Sequence, residues 1–109
     1  MTALDGIFGL SPTTVAKING VLAQHACVER AIIYGSRAKG TYRTGSDIDL
    51  VLEGDGLELR ELQTIEHELD ELLLPYTIDI SIFDHIKHLD LREHIARVGK
   101  VFYPHGKAE

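Results

Sequence analysis

Residues 35–52 read GSRAKGTYRTGSDIDLVL, and this stretch decides the fold. Its first part, residues 35–45, contains three glycines and three basic residues but no acid, which is typical of a loop. Its second part alternates apolar and other residues with the period of a strand. The apolar set is Ile48, Leu50 and Leu52. The stretch therefore predicts a strand that buries this set and carries Asp47 and Asp49 on its opposite face.

Helical and strand patterns alternate on both sides of this stretch. The predicted elements are helices over 12–25, 57–74 and 90–98 and strands over 28–34, 47–53 and 77–83. Ser11 is the expected cap of the first helix, Asp90 and Glu93 have the spacing of a cap for the last, and Gly99 ends it. A short helix is expected to open in the glycine loop, and Val101 to Tyr103 either add a short strand or pack on the core.

This order of elements predicts an α/β (α+β) fold for one domain over residues 1–109. Because the middle strands carry apolar side chains mainly on one face, we expect helices packed on one face of a small sheet and an open catalytic face on the other. Residues 1–10 are expected to form a loose N-terminal arm.

Composition excludes several classes of protein. The 109 residues are 44% hydrophobic and 26% charged, which is typical of a globular domain. A net charge of −6 argues against nucleic-acid binding without a partner. The single cysteine, Cys27, excludes an intramolecular disulfide. With no apolar run of membrane-spanning length and no signal peptide, we expect a cytoplasmic protein without membrane contact.

Three carboxylates are expected to meet on the open face. Asp47 and Asp49 point the same way, roughly 6.6 Å apart along the strand. Asp79 points away from the apolar set of the third predicted strand, so it joins them if the two strands pair. Ionised carboxylates this close together repel one another. A bound hard divalent cation such as Mg²⁺ would neutralise this repulsion.

The loop adds a second feature, a cradle for phosphate. Gly35 and Ser36 end a strand and open a helical turn, where free backbone N–H groups bind phosphate, and Arg37 adds positive charge. Thr41 and Tyr42 follow Gly40 where a P-loop requires Lys-Ser/Thr, so the P-loop interpretation fails. A phosphate cradle beside metal-binding carboxylates indicates two-metal phosphoryl or nucleotidyl transfer.

The same run resembles the minimal nucleotidyltransferase (MNT) branch of the DNA polymerase β-like nucleotidyltransferase superfamily. Gly35-Ser36, ten residues, and then Asp47-x-Asp49 match its signature, and the clear match covers residues 32–53. Asp79, within TIDISIF, fits the third carboxylate of that signature. The resemblance implies the nucleotidyltransferase fold, with a small mixed β-sheet.

The resemblance also implies roles and partners. Gly35 and Ser36 would hold the triphosphate of ATP, with Arg37 and Ser46 as further nucleotide-binding residues. Asp47, Asp49 and Asp79 would be the catalytic residues and would bind two Mg²⁺ ions, with Asp79 also helping to deprotonate the acceptor hydroxyl. Minimal members are typically paired with a helical protein of the HEPN class as a toxin–antitoxin couple, and some adenylylate a tyrosine of that partner.

Three interpretations stay open at this point. The first is an antitoxin that transfers AMP to a hydroxyl of a HEPN-type partner. The second keeps the chemistry but has a small molecule or an RNA end as acceptor. The third is a toxin-binding module without catalysis. The sequence leaves the nucleotide preference and the homo- or hetero-oligomeric state undetermined.

Overall fold

The computed structural model describes residues 7–104, and its centre is a four-stranded mixed sheet in the order β3-β2-β1-β4. The strands are β1 (Arg30–Tyr34), β2 (Ile48–Glu53), β3 (Ile78–Ile82) and β4 (Lys100–Tyr103). β1 pairs antiparallel with β2 and with β4, whereas β2 and β3 are parallel. All three predicted strands are confirmed, and Val101 to Tyr103 belong to a fourth.

Four α-helices accompany the sheet. They are α1 (Pro12–Ala23), α2 (Ser36–Lys39), α3 (Leu59–Asp70) and α4 (Leu89–Val98), with a 3-10 turn over Phe83–His85. The predicted cap of α1 is confirmed, because Ser11 Oγ accepts the Thr14 N–H at 3.1 Å. The predicted single domain also includes residues 1–6 and 105–109, which lie outside the described residues, as does most of the predicted N-terminal arm.

Two of the helix boundaries that differ from prediction have a local explanation. α3 ends at Asp70, four residues before the predicted position, because Leu72 and Leu73 donate to carbonyls three residues back and Leu73 adopts a left-handed φ of 56°. The cap of α4 is His88, whose Nδ1 accepts the Leu91 N–H at 3.3 Å, so Asp90 lies inside the first turn instead.

The main core lies between the sheet and helices α1 and α3. Each helix presents an apolar stripe to it, and the strands contribute every second side chain. The fully enclosed members, with at most 1% exposure, include Leu10, Val15, Ile18, Leu22, Ile33, Ile48, Leu50, Leu52, Ile65 and Phe102.

One predicted detail is wrong: helices do not cover one face only. Helix α4 packs on the opposite face, where Ile95 forms a small buried cluster with Ile32 and Val51. The sequence pattern missed this because Val51 and Ile32 sit between polar neighbours on that face. The fold class is confirmed: α4 covers Ile32 and Val51 on this face, and the aspartates lie beyond them, towards the start of β2.

Candidate active site

Asp49 and Asp79 lie side by side on the face that carries α4. They are direct partners in the parallel register of β2 and β3, and Asp49 is also the antiparallel partner of Tyr34 on β1. Directly paired residues of adjacent strands project from the same face. The structure therefore brings the two predicted carboxylates together in one row with Tyr34, and Asp47 follows one step outward, just before β2.

Electrostatics within this row disfavour ionised Asp49. Burial raises the pKa of the half-buried Asp49 carboxyl, and the charges of Asp79 and then Asp47 raise it further. Asp47 and Asp79 are themselves exposed. The site thus concentrates negative charge around its most buried member, which is the condition that a divalent cation relieves.

Gly35 brings the loop backbone against this row. Its φ of 77° favours glycine, and a Cβ at this position would lie 2.6 Å from Oδ2 of Asp49. Gly35 also precedes the first residue of α2, and its carbonyl accepts the Lys39 N–H at 3.1 Å. The predicted neighbourhood of Gly35, Ser36 and Asp49 is therefore present, with the first turn of α2 beside the carboxylates.

Donor chemistry at the site fits a hard cation, because the three aspartates supply oxygen ligands. The side chains do not form a complete set of metal ligands in this conformation. Among residues 7–104, no three His, Cys, Asp or Glu residues form a group that could hold a metal ion. Mutual repulsion of unneutralised carboxylates is a sufficient physical reason for them to stand apart.

Arg37, one of the predicted nucleotide-binding residues, packs into the protein. Its side chain is buried, with 3% exposure. Nε and Nη2 donate to the Ser46 carbonyl at 3.1 and 2.9 Å, and Nη1 donates to the Phe8 carbonyl at 2.9 Å. The Arg37 guanidinium is thus engaged in holding the loop, and a direct nucleotide contact of Arg37 stays a prediction.

Ser46, the other predicted nucleotide contact from the loop, closes a turn. Its hydroxyl oxygen accepts the Arg43 N–H at 2.7 Å, and its own N–H donates to the Arg43 carbonyl at 2.9 Å. This geometry shapes the end of the glycine loop just before Asp47. A direct nucleotide contact of Ser46 stays a prediction.

Tyr34 is a candidate site residue that sequence reasoning missed. Burial raises the pKa of its hydroxyl, a hydrogen bond with Ser81 opposes this shift, and Asp49 and Asp79 add to the increase. Its ring meets His94 of α4 edge-on, with centroids 6.3 Å apart. No sequence signal marks Tyr34 by itself, because its place beside Asp49 depends on the register of β1 and β2.

Two clefts flank these elements without containing the aspartates. One, of about 240 Å³, lies behind the glycine loop and is lined by Arg37, Tyr42, Tyr76 and neighbouring residues. The other, of about 340 Å³, lies between α4 and the far ends of β1 and β2.

Fold and site together define a nucleotidyltransferase-like protein, with a glycine-serine turn facing aspartates on a mixed sheet. The chain belongs to the polymerase beta nucleotidyltransferase family, whose model matches residues 16–107. Across residues 7–104, the helices are all too short or too polar to cross a membrane.

A sequence relative adds detail. A Methanocaldococcus jannaschii protein, named as a candidate protein adenylyltransferase, is 41% identical over 58 residues. The match covers 52% of this chain and 61% of the relative, so it spans less than two thirds of that protein's length.

Solved structures share the fold. A chain of a toxin–antitoxin complex with AMP-PNP superposes with a TM-score of 0.67 at 21% identity, covering 82% of this chain and 72% of the other. A chain of the complex between tri-AMPylated Shewanella oneidensis HEPN toxin and MNT antitoxin gives 0.62 at 17% identity, with coverages of 84% and 70%. At these identities the likeness establishes the fold alone.

Proposed function

We propose that this protein transfers AMP from ATP to a hydroxyl group of a HEPN-type partner protein, as the antitoxin of a toxin–antitoxin pair. The observation that carries the proposal is the contact of the Gly35 backbone with Asp49, with Asp79 as the direct strand partner of Asp49. This arrangement would set a phosphate-binding turn against two carboxylates, and the third, Asp47, lies two residues before Asp49, just ahead of β2.

The chain's own groups would divide the work as follows. The first turn of α2, beginning at Ser36, offers backbone N–H groups to the triphosphate. The acceptor oxygen attacks the α-phosphorus while the bond to the bridging oxygen of pyrophosphate breaks. Asp79, the more exposed of the paired carboxylates, accepts the proton that the acceptor hydroxyl loses.

Asp47 and Asp49, together with Asp79, would hold two Mg²⁺ ions. When bound, Mg²⁺ supplies charge neutralisation for the attacking and leaving oxygens. Burial, and then the charges of Asp79 and Asp47, raise the pKa of Asp49, and a bound cation would offset these costs for the ionised carboxylate.

The identity of the partner rests on similarity. Toxin–antitoxin complexes share this fold, and one of them contains an AMPylated HEPN toxin. The relative from Methanocaldococcus jannaschii carries the name of a candidate protein adenylyltransferase. Both observations favour a protein hydroxyl over a small molecule or an RNA end as acceptor. Because ATP is the donor, we also propose a cytoplasmic location.

Labelled ATP tests the proposal directly. The purified protein is incubated with ATP labelled on the α-phosphate, Mg²⁺ and the product of the neighbouring gene, and we expect label on that product if it is the HEPN-type partner. The double variant Asp47→Asn plus Asp49→Asn should reduce labelling by at least about 100-fold. Asp55→Asn plus Asp70→Asn, both exposed and distant from the row, is the matched control.

The outcomes separate the alternatives. If the Asp47/Asp49 double variant labels the partner as well as the wild-type protein does, the proposed chemistry is wrong. Label on RNA or on a small molecule, with none on the partner, would retain the chemistry and overturn the acceptor. A double variant that still neutralises the partner in cells would show that catalysis is dispensable for neutralisation.

A further inference from the structure

We propose that Arg37 is a positioning residue that fixes the backbone on the N-terminal side of Asp47, and so presents Asp47 for metal binding. The metal-binding half of this inference rests on the proposed function. The positioning half rests on contacts within the chain alone, so that the two halves can be tested separately.

Arg37 acts on Asp47 through one peptide unit. The Ser46 carbonyl, which accepts two N–H bonds from Arg37, belongs to the same planar unit as the Asp47 nitrogen. Two donors from one rigid guanidinium fork define the position and the orientation of that plane. The Cα of Asp47 is bonded directly to it.

The other side of Asp47 is held by the sheet. The unit that joins Asp47 to Ile48 is anchored because the Ile48 N–H donates to the Thr77 carbonyl at 2.9 Å. Asp47 thus stands between a unit held by strand pairing and a unit held by Arg37. Its side chain is exposed while its backbone is fixed on both sides, which is the arrangement that a metal ligand at the end of a strand requires.

The guanidinium itself is locked in place by three neighbours. It lies 5.2 Å from the Tyr42 ring centroid and 5.0 Å from that of Tyr76, so cation–π contacts hold its plane. The Phe8 carbonyl takes a further N–H at 2.9 Å, which ties the turn at residues 7–10 to the loop. Arg37 therefore joins the N-terminal turn, the glycine loop and the segment before β3.

These neighbours also place Arg37 on the side of the sheet away from the reaction. Phe8 and Tyr76 pack against the main core under α1 and α3, whereas Asp49 lies in the row on the α4 face. Burial to 3% exposure further removes the guanidinium from a triphosphate on that face. Its effect on nucleotide chemistry therefore passes through the backbone.

Hydrogen–deuterium exchange of the free protein tests the positioning role without metal or substrate. Arg37→Lys keeps the charge but loses the fork, so we expect amides of residues 43–47 and 9–10 to exchange at least about tenfold faster. Arg60→Lys, an exposed arginine on α3, is the matched control and should leave these amides unchanged. Unchanged exchange in a folded Arg37→Lys protein would overturn the proposal.

A second variant keeps the proposal testable if Arg37→Lys does not fold. Tyr76→Leu keeps the guanidinium and removes one of its two rings, so we expect a smaller increase in exchange over the same residues. If Arg37→Lys does not fold and Tyr76→Leu leaves residues 43–47 fully protected, the positioning role is rejected.

Metal and nucleotide affinities test the second half. By electron paramagnetic resonance of Mn²⁺, Arg37→Lys should weaken metal binding by on the order of tenfold. ATP binding measured in EDTA should change less than about twofold, because the cradle itself is intact. A selective loss of ATP binding would instead assign Arg37 to the nucleotide. A wild-type protein that binds no Mn²⁺ overturns the proposed function and the metal-binding half, while the exchange result still decides the positioning role.

Discussion

At the scale of single residues, three positions around Asp49 show how tightly the site is built. Gly35 touches its carboxylate from the loop, Asp79 faces it from β3, and Tyr34 faces it from β1. Each contact acts on the same half-buried carboxyl. Changes at Gly35 and at Asp49 itself therefore give direct readouts of the site.

Replacing Gly35 should disable the site while leaving the fold in place. In Gly35→Ala the new Cβ would approach Oδ2 of Asp49 to 2.6 Å, and the residue would retain an unfavourable φ of 77°. We expect a loss of about 1–3 kcal/mol in the free energy of unfolding and a fall in AMP transfer of at least about 100-fold. Urea denaturation and the labelling assay measure the two effects.

Gly20→Ala is the control for this prediction. Gly20 lies within α1, and a Cβ there meets nothing within 4 Å. We expect a gain of about 0.5–1 kcal/mol and unchanged transfer. Transfer by Gly35→Ala at the rate of Gly20→Ala would contradict the close contact between loop and carboxylate.

The raised pKa of Asp49 predicts that its contribution to the free energy of unfolding of the metal-free protein decreases as the pH rises. Its folded pKa is raised, so the folded state binds this proton more tightly than the unfolded state does. The contribution of Asp49 is therefore favourable at low pH and is lost as the pH rises from the ordinary aspartate pKa through the raised one. We expect Asp49→Asn to be more stable than wild type at pH 7 in EDTA.

The comparison is made by urea denaturation of both proteins across pH 3–7. The stability difference should shrink towards low pH, where Asp49 is protonated in both states of the wild type. Asp55→Asn, at an exposed position, serves as the control. If Asp49→Asn were less stable than wild type at pH 7, the charge crowding at this row would be refuted.

At the scale of elements, the site depends on how α4 and the 3-10 turn close over the sheet. Arg92 of α4 stacks on Phe83 at 4.2 Å and donates from Nη1 to the carbonyls of Phe83 and Ile86 at 3.2 and 2.8 Å. These bonds tie the segment that follows β3 to the helix above it. The contact of His94 with Tyr34 depends on the same placement of α4.

Loss of this tie should loosen α4. We expect Arg92→Ala to cost about 1–3 kcal/mol of unfolding free energy, because two carbonyls lose a charged donor and the ring loses its cation. Arg97→Ala, on the same helix, removes an exposed ion pair with Glu93 at 3.9 Å and should cost less than about 0.5 kcal/mol. Thermal denaturation of both variants measures these losses in unfolding free energy. Equal losses for Arg92→Ala and Arg97→Ala would contradict the structural role of Arg92.

At the scale of the whole molecule, the two faces of the sheet are unequal. Among residues 7–104, the main core lies under α1 and α3, whereas the α4 face has a buried cluster of three residues, Ile32, Val51 and Ile95. The acidic charge divides in the same way: part lies on the exposed surface of α3, and part is concentrated in the carboxylate row. Four of the 17 acidic residues lie on α3 and three in the carboxylate row, so these two places carry a large share of the acidic charge.

Much of this arrangement could be predicted from local patterns. Helix and strand periods located the three longer helices and three of the four strands in the described residues, whereas the 3-10 turn over Phe83–His85 was not predicted. The spacing of Asp47 and Asp49 placed both on the polar side of β2, because side-chain direction along a strand alternates with the backbone itself. The glycine-rich run likewise predicted the turn at Gly35. These features depend on residues close together in the chain.

Other features required the tertiary structure. The pairing of Asp49 with Asp79 and Tyr34 depends on strand register, and the cover provided by α4 depends on packing across the sheet. Arg37 is the clearest case. Its residue type indicates a positive charge, but its burial and its hydrogen bond to the Phe8 carbonyl depend on segments that are distant in the sequence. The sequence by itself determined the elements and the chemistry of the side chains. Only the tertiary structure decided which of them meet, because long-range contacts are made by packing rather than by the period of the backbone.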